Sequence, residues 1–268
     1  MFKAILLIIF GITLLCRVVQ YLRFKQVLKL FKDGNCIVCG LRGTGKDLLM
    51  SNVVAYRRLP YCSNMDYTSK LKNAPLRYPF EPVYLKIGGN TFTNFATNRI
   101  IPYNYPLPDK VDFYLSDCGV YFPSQENSTL NKLYPEIPLF QALSRHLGDC
   151  NFHCNIQNLN RLWDKIREQS DTYIRCISCS VSRRGIVKQK LIVYDRYQSA
   201  VDRVEPLKLR KPLLGKQVKN DNTITKEKFK AQYGNIYSLT IRYKNKGSYD
   251  SRRFKSILEG AENDKQTA

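Results

Sequence analysis

Gly40-Leu41-Arg42-Gly43-Thr44-Gly45-Lys46 decides the fold class. The stretch satisfies the pattern G-x-x-x-x-G-K through Gly40, Gly45 and Lys46, with Gly43 as an additional glycine. The apolar Cys36-Ile37-Val38-Cys39 ahead of it reads as a buried strand, and Lys46 to Arg57 behind it reads as a helix. A loop of this kind between strand and helix suits phosphate. Glycines let the backbone wrap the anion, amide N–H groups and the helix N-terminus attract it, and the lysine reaches the terminal phosphates. The expected binding set is Gly40, Leu41, Arg42, Gly43, Thr44, Gly45, Lys46 and Asp47, with ATP and Mg²⁺ as cofactors. A glycine-rich turn without a ligand is the bland alternative.

Asp47 departs from the pattern, because a Ser or Thr hydroxyl usually stands there as a Mg²⁺ ligand. A carboxylate also ligates Mg²⁺, but it adds negative charge beside an anionic nucleotide. The strand-end acid is sought next, since Mg²⁺ needs an oxygen ligand and the attacking water needs a base. Phe113-Tyr114-Leu115-Ser116-Asp117-Cys118 offers one carboxylate where two are usual. With Asp117 on the metal side, Cys118 stands where the base belongs; with Asp117 as the base, Ser116 stands at the metal-side position. Asp47 and Asp117 are the candidate Mg²⁺ ligands, and Asp117 is also a candidate catalytic residue.

Outward from the loop, strands are expected at Tyr61 to Asn64, Val83 to Ile87, Val111 to Leu115, Phe152 to Ile156, Tyr173 to Ser180 and Leu191 to Tyr194. Helices are expected at Pro138 to Leu147 and Leu162 to Ser170. This alternation predicts an α/β fold: a mainly parallel P-loop NTPase sheet with helices on both faces. Residues 73–109, rich in Pro, Tyr and Asn, read as an insertion between core strands.

At the N-terminus an apolar run from Ala4 to Cys16 is followed by Arg17 and a mixed segment. A membrane span takes ~20 residues, so it would extend to Leu22 with Arg17 snorkelling to the headgroups. Arg17, Arg23, Lys25, Lys29 and Lys32 stand behind the run and only Lys3 ahead of it. That asymmetry predicts a single-pass anchor in a host inner membrane with the ATPase domain cytoplasmic. A cleaved signal peptide is the competing reading, without a persuasive cleavage site. Residues 18–32 read as a basic amphipathic helix at the membrane surface.

The expected organisation is an anchor and juxtamembrane helix over 1–33, a P-loop NTPase domain over 34–206, and a basic, partly disordered extension over 207–268. That extension holds 15 Lys or Arg against 6 Asp or Glu, with strand character at Ile236 to Tyr243. The whole chain has a net charge of +21, which implies anionic partners such as nucleotide, nucleic acid or acidic lipid, or else a lysine-biased genome. Nine cysteines include CxxC spacings at Cys36/Cys39 and Cys176/Cys179, but both fall on expected strands rather than on the turns of a zinc ribbon. Buried free thiols are expected, which argues against a disulfide-stapled secreted scaffold.

Three further blocks follow the strand-end acid. Asp117-Cys118-Gly119-Val120-Tyr121-Phe122-Pro123-Ser124, then Leu143-Ser144-Arg145-His146-Leu147-Gly148, then Asn155-Ile156-Gln157-Asn158 resemble the zonular occludens toxin-like family. These are the filamentous-phage assembly ATPases, related to the FtsK/HerA translocases. Ser63-Asn64 and Trp163-Asp164-Lys165-Ile166-Arg167 add to the resemblance, which covers about residues 35–195. It implies that Gln157 senses the γ-phosphate and orients water, and that Arg145 or Arg167 reaches the nucleotide of a neighbouring subunit in a homo-oligomer. Strand-end backbone pairing for Gln157 and local ion pairs for the arginines are the bland alternatives. The family's phage members carry their membrane span after the ATPase domain, whereas the apolar run here comes first. A toxin-like or periplasmic role therefore has no support in this sequence.

Together these readings predict a membrane-anchored ATPase that drives filamentous-phage assembly and extrusion, or related export of single-stranded DNA. Phage capsid or assembly proteins and single-stranded DNA are the expected partners. The alternatives are a hydrolysis-deficient nucleotide-binding scaffold that tethers DNA or capsid protein, and a DNA-packaging or conjugative coupling ATPase.

Overall fold

The structure is a computed structural model that describes residues 2–69, 71–79, 83–87, 90–94, 111–126, 128, 151–207 and 226–247. In chain order the elements are helix α1 (Phe2–Asp33), β1 (Cys36–Cys39), α2 (Lys46–Arg57), β2 (Tyr61–Ser63), β3 (Arg77–Pro79), β4 (Val83–Ile87), β5 (Asn90–Asn94), β6 (Asp112–Leu115) and α3 (Cys118–Tyr121). There follow β7 (Phe152–Ile156), α4 (Asp164–Glu168), β8 (Thr172–Val181), β9 (Ile186–Tyr194), α5 (Tyr197–Val201), α6 (Lys226–Tyr233) and β10 (Ile236–Lys244).

Eight strands form one sheet in the order β10-β9-β8-β1-β7-β6-β2-β3. The six from β8 to β3 run parallel, while β9 and β10 extend the β8 edge antiparallel. β1 is central, between β7 and β8. Parallel neighbours require crossover connections, which carry the helices onto the faces of the sheet. Val83–Ile87 forms a separate two-stranded sheet with β5. The helix expected at Pro138 to Leu147 lies outside the described residues.

Strand alternation divides the core between the two faces. On one face Cys36 and Val38 of β1 and Ile174 of β8 pack with Leu49, Met50, Val53 and Val54 of α2. On the other, Ile37, Cys39 and Tyr173 pack with Leu162, Trp163, Ile166 and Ala200. Helices thus cover both faces. A buried ion pair pins the end of α2 to the start of β6: Arg57 Nη1 lies 2.5 Å from Asp112 Oδ2. Arg57 also donates to the carbonyl oxygen of Phe31, and Asn151 Nδ2 donates to Asp112 Oδ1 at 3.2 Å and to the Lys32 carbonyl at 3.2 Å. The last turn of α1 is thereby tied to the sheet.

The N-terminal segment requires a correction. Among the described residues no helix is long and apolar enough to cross a membrane. That overturns the single-pass anchor read over residues 4–22 and the inner-membrane placement built on it. The apolar run Ala4 to Cys16 has 13 residues; at about 1.5 Å rise each this is ~20 Å, against a hydrocarbon thickness of ~30 Å. Past it come Arg17, Gln20 and Arg23, and then the helix is committed to the protein core. Phe24, Val27 and Phe31 are fully buried, with the Phe24 ring stacked on Tyr243 at 4.2 Å and edge-on to Tyr56 at 5.0 Å. Within the stretch 18–32 read as a juxtamembrane surface helix, one side packs into the core through Phe24, Val27 and Phe31, while Val18, Val19, Tyr21 and Leu22 are exposed. The strand character at Ile236 to Tyr243 is real, and it serves as the edge strand of the main sheet, paired along its length with β9.

Candidate functional site

Gly40-Leu41-Arg42-Gly43-Thr44-Gly45 connects the C-terminal end of β1 to the start of α2. Gly40, Gly43 and Gly45 have φ of 147°, 81° and 84°, backbone that favours glycine. Space is also short at two of them. A Cβ on Gly40 would lie 2.6 Å from the Cys176 carbonyl oxygen, and one on Gly45 would lie 2.8 Å from Cys179 Cβ and Sγ. Thr44 N–H and Oγ1 both donate to the Leu41 carbonyl, at 3.3 and 2.7 Å, which closes the loop on itself. Lys46 Nζ folds back to the same carbonyl at 3.3 Å. A neutral carbonyl is a weaker partner for an ammonium than a phosphate oxygen, so this contact is readily exchanged for an anion.

Asp47, one residue into α2, faces the ends of β6 and β7. Ser116 Oγ donates to Asp47 Oδ1 at 2.6 Å, Asn155 Nδ2 donates to the same oxygen at 2.7 Å, and Asn155 Nδ2 lies 3.1 Å from Ser116 Oγ. Ser116 is locked from behind by Asn64, whose Nδ2 donates to the Ser116 carbonyl at 3.0 Å while its Oδ1 accepts the Ser116 N–H at 2.8 Å. The next residue, Asp117, donates its N–H to Asn155 Oδ1 at 2.9 Å. It is Ser116, and not Asp117, that stands against the loop carboxylate. Asp117 turns away in the left-handed region with φ 51° and ψ 46°, a conformation of order 1 kcal/mol uphill that the Asn155 contact holds in place. Burial pushes its carboxyl above the usual range, the Asp47 carboxylate pushes it further, and the Lys46 ammonium partly offsets both.

Among the described residues, two cavities open at this end of the sheet, the larger of them against the loop. One of about 410 Å³ is lined by Gly40, Leu41 and Thr44 on one side and by Gln157, Arg175 and Arg203 on the other. That volume is within the ordinary range for a small-molecule site. The second, about 180 Å³, is lined by Asp117, Gly119, Gln157 and Arg161 among others. Gln157, exposed just past the end of β7, borders both. The structure therefore gathers Lys46, Asp47, Asp117 and Gln157 around one set of strand ends. Arg167 lines neither cavity; its guanidinium donates to the Tyr197 hydroxyl and sits 4.8 Å from the centre of that ring. Arg145 lies outside the described residues.

Oxygen donors near the phosphate loop suit Mg²⁺, which is usually held by one or two carboxylates together with substrate phosphates. Asp47 is such a carboxylate, and the Ser116 hydroxyl is beside it. Among the described residues no group of three or more His, Cys, Asp or Glu is placed to hold a metal ion, and the eight described cysteines are free thiols. Burial pushes the Cys39 thiol up to about 12, so this strand cysteine stays protonated.

Several site residues carry no motif. Gln189 of β9 is fully buried, and its Nε2 donates to the Thr44 and Gly45 carbonyls, both at 3.0 Å. Tyr243 of β10 donates its hydroxyl to Gln189 Oε1 at 3.1 Å and so fixes the amide orientation. Period-two alternation was the available signal, since it puts Gln189 on the same strand face as the buried Val187 and Leu191.

No protein-family profile and no curated protein matches this sequence. Among solved structures, the chain is similar to the genome packaging NTPase B204 from Sulfolobus turreted icosahedral virus 2 in complex with ATP-gammaS, at 11% identity and a TM-score of 0.41, covering 61% of this chain and 93% of that one. It is also similar to the N-terminal domain of zonular occludens toxin from Neisseria meningitidis, at 13% identity and a TM-score of 0.42, covering 83% of this chain and 97% of that one.

Proposed function

We propose that this chain is a P-loop ATPase that acts as a motor in virion assembly or DNA packaging. The observation that carries the nucleotide half is the convergence of four groups: Lys46 over the loop, Asp47 at the head of α2, Asp117 after β6 and Gln157 after β7. In this reading loop amides and Lys46 hold the phosphates. Gln157 orients water toward the terminal phosphate, and Asp117, with its raised carboxyl, accepts the proton. Mg²⁺ bound at Asp47 would neutralise phosphate charge as the terminal group leaves. The net charge of +21 supports a nucleic-acid cargo, because lysine and arginine bind phosphates without reading sequence. The zonular occludens toxin-like blocks support virion assembly as the setting. Extrusion of a filamentous particle and single-stranded DNA as cargo are the finer forms of the proposal. A homo-oligomer, with an arginine such as Arg145 or Arg167 reaching across, belongs to it as well.

A second reading rests on the departures. With a carboxylate at 47, where a hydroxyl is usual, and a single acid after β6, the chain would bind nucleotide without turning it over and hold DNA or capsid protein as a scaffold. Phosphate release from ATP by the full chain, with Lys46→Ala as control, separates the two. Turnover that disappears in the variant supports the motor. Nucleotide binding at no more than the control rate of hydrolysis supports the scaffold.

A further inference from the structure

We infer that the hydroxyl and carboxylate of the Mg²⁺ site have exchanged places in this protein, so that the 2.6 Å pair Ser116 Oγ to Asp47 Oδ1 is a functional Mg²⁺-binding pair rather than a lost one. The inference rests on the P-loop reading above. In P-loop NTPases generally, the residue after the loop lysine supplies a hydroxyl and the acid at the strand end supplies a carboxylate, and both serve one Mg²⁺. Taken one position at a time, this chain breaks both rules. Taken as a pair, it breaks neither, because one hydroxyl and one carboxylate still meet between the head of α2 and the end of β6.

The geometry singles out this pair. Asn64 holds the Ser116 main chain by contacts of 3.0 and 2.8 Å, and Asn155 Nδ2, 3.1 Å from Ser116 Oγ, holds its hydroxyl. Ser116 is 1% exposed and Asn155 is fully buried. Buried polar groups are retained at a cost in desolvation, and here both donate to one carboxylate oxygen. Asp47 Oδ1 is thereby saturated by two donors, and Asp47 Oδ2 is the oxygen left to face a cation. The net charge of the pair is the same as in the usual arrangement, one negative unit. A carboxylate at 47 therefore adds no net repulsion toward nucleotide, because the strand end gives up the charge that the helix gains. It also follows that Asp117 is not the metal-side acid and is left for the proton.

The test is a reciprocal exchange read by binding. Full chain, Asp47→Ser, Asp47→Asn, Ser116→Asp and the double variant Asp47→Ser/Ser116→Asp are titrated with a fluorescent, non-hydrolysable ATP analogue, in Mg²⁺ and in EDTA. Thermal unfolding of each variant is recorded alongside. The ratio of the two affinities in the full chain is expected to fall about tenfold in Asp47→Ser and in Asp47→Asn, the latter keeping its contacts with Ser116 and Asn155 so that loss of charge is separated from loss of fold. The double variant is expected to recover to within about threefold of the full chain. Ser116→Asp alone sets two carboxylates face to face and is expected to unfold at lower temperature in EDTA than the double variant. The inference is overturned by an unchanged Mg²⁺ ratio in Asp47→Asn, or by a double variant no better than Asp47→Ser. Binding that Lys46→Ala abolishes but that Mg²⁺ never strengthens overturns the exchange and leaves the P-loop reading standing. No binding to the full chain overturns both.

Discussion

Gln189 Nε2 donates to the Thr44 carbonyl oxygen across 3.0 Å, although the two residues are 145 positions apart in the chain. The antiparallel part of the sheet thus reaches under the phosphate loop and holds its backbone. Gln189→Leu removes the donor and leaves two loop carbonyls without it, which costs about 1–3 kcal/mol of stability. Nucleotide affinity is expected to fall with it, while Tyr243→Phe, which only frees the amide to rotate, is milder. Chemical denaturation and nucleotide titration of both variants check the order; a Tyr243→Phe variant indistinguishable from the parent would show that the amide orientation is not set by Tyr243.

The loop glycines differ in what they tolerate. Gly43 has a left-handed φ with nothing within 4 Å of a would-be Cβ, whereas Gly45 adds the 2.8 Å approach to Cys179. Gly43→Ala is expected to cost roughly 1–2 kcal/mol for conformation alone. Gly45→Ala adds about 1–3 kcal/mol for overpacking. Unfolding free energies that rank Gly43→Ala as the worse variant would contradict this geometry.

Asp117 sets function against stability. Its folded carboxyl titrates above that of the unfolded chain because of burial and the neighbouring Asp47. The folded state therefore binds the proton more tightly, and the group disfavours folding at pH 7. That penalty shrinks as the pH falls through the folded value toward about 4, the unfolded value. Asp117→Asn removes the charge and keeps a residue that accepts left-handed backbone. It is expected to be more stable than the parent at pH 7, by a margin that narrows on acidification, and to lose ATP turnover. A margin that widens on acidification would refute the assigned sign.

The buried Arg57–Asp112 pair ties α1, α2, β6 and β7 together. Asp112→Ala leaves a guanidinium buried without its partner and is expected to cost about 3–5 kcal/mol. Differential scanning calorimetry measures it; a loss under about 1 kcal/mol would mean that the pair is solvated in solution.

Local pattern carried the parts of this fold whose chemistry is contiguous. Gly40 to Lys46 announces its turn through glycines, and Lys46 to Arg57 has the bounds that the sequence suggests. What stayed hidden depends on partners far along the chain. Ser116 could be placed against Asp47 only once β6 and α2 were side by side, and a sequence with one acid at 117 left two assignments open. Gln189 and Asn155 are ordinary polar residues until the sheet brings them to the loop. The N-terminal helix misled for a related reason: Phe24, Val27 and Phe31, in the stretch read as lying on a membrane surface, are committed to the core, and only the sheet shows that they pack on it. The edge strand β10, inside a lysine-rich stretch, is held by its pairing with β9 and its contacts with α1 rather than by its composition.

The central claim is that Gly40 to Lys46 grips the phosphates of a nucleotide. Titration of ATP and of AMP into the full chain and into Lys46→Ala tests it most directly, because loop and lysine act on the outer phosphates that AMP lacks. The full chain is expected to prefer ATP by about tenfold or more, and Lys46→Ala to bring the two affinities close together. Equal affinity of the full chain for ATP and AMP, or a preference that survives in Lys46→Ala, would contradict it.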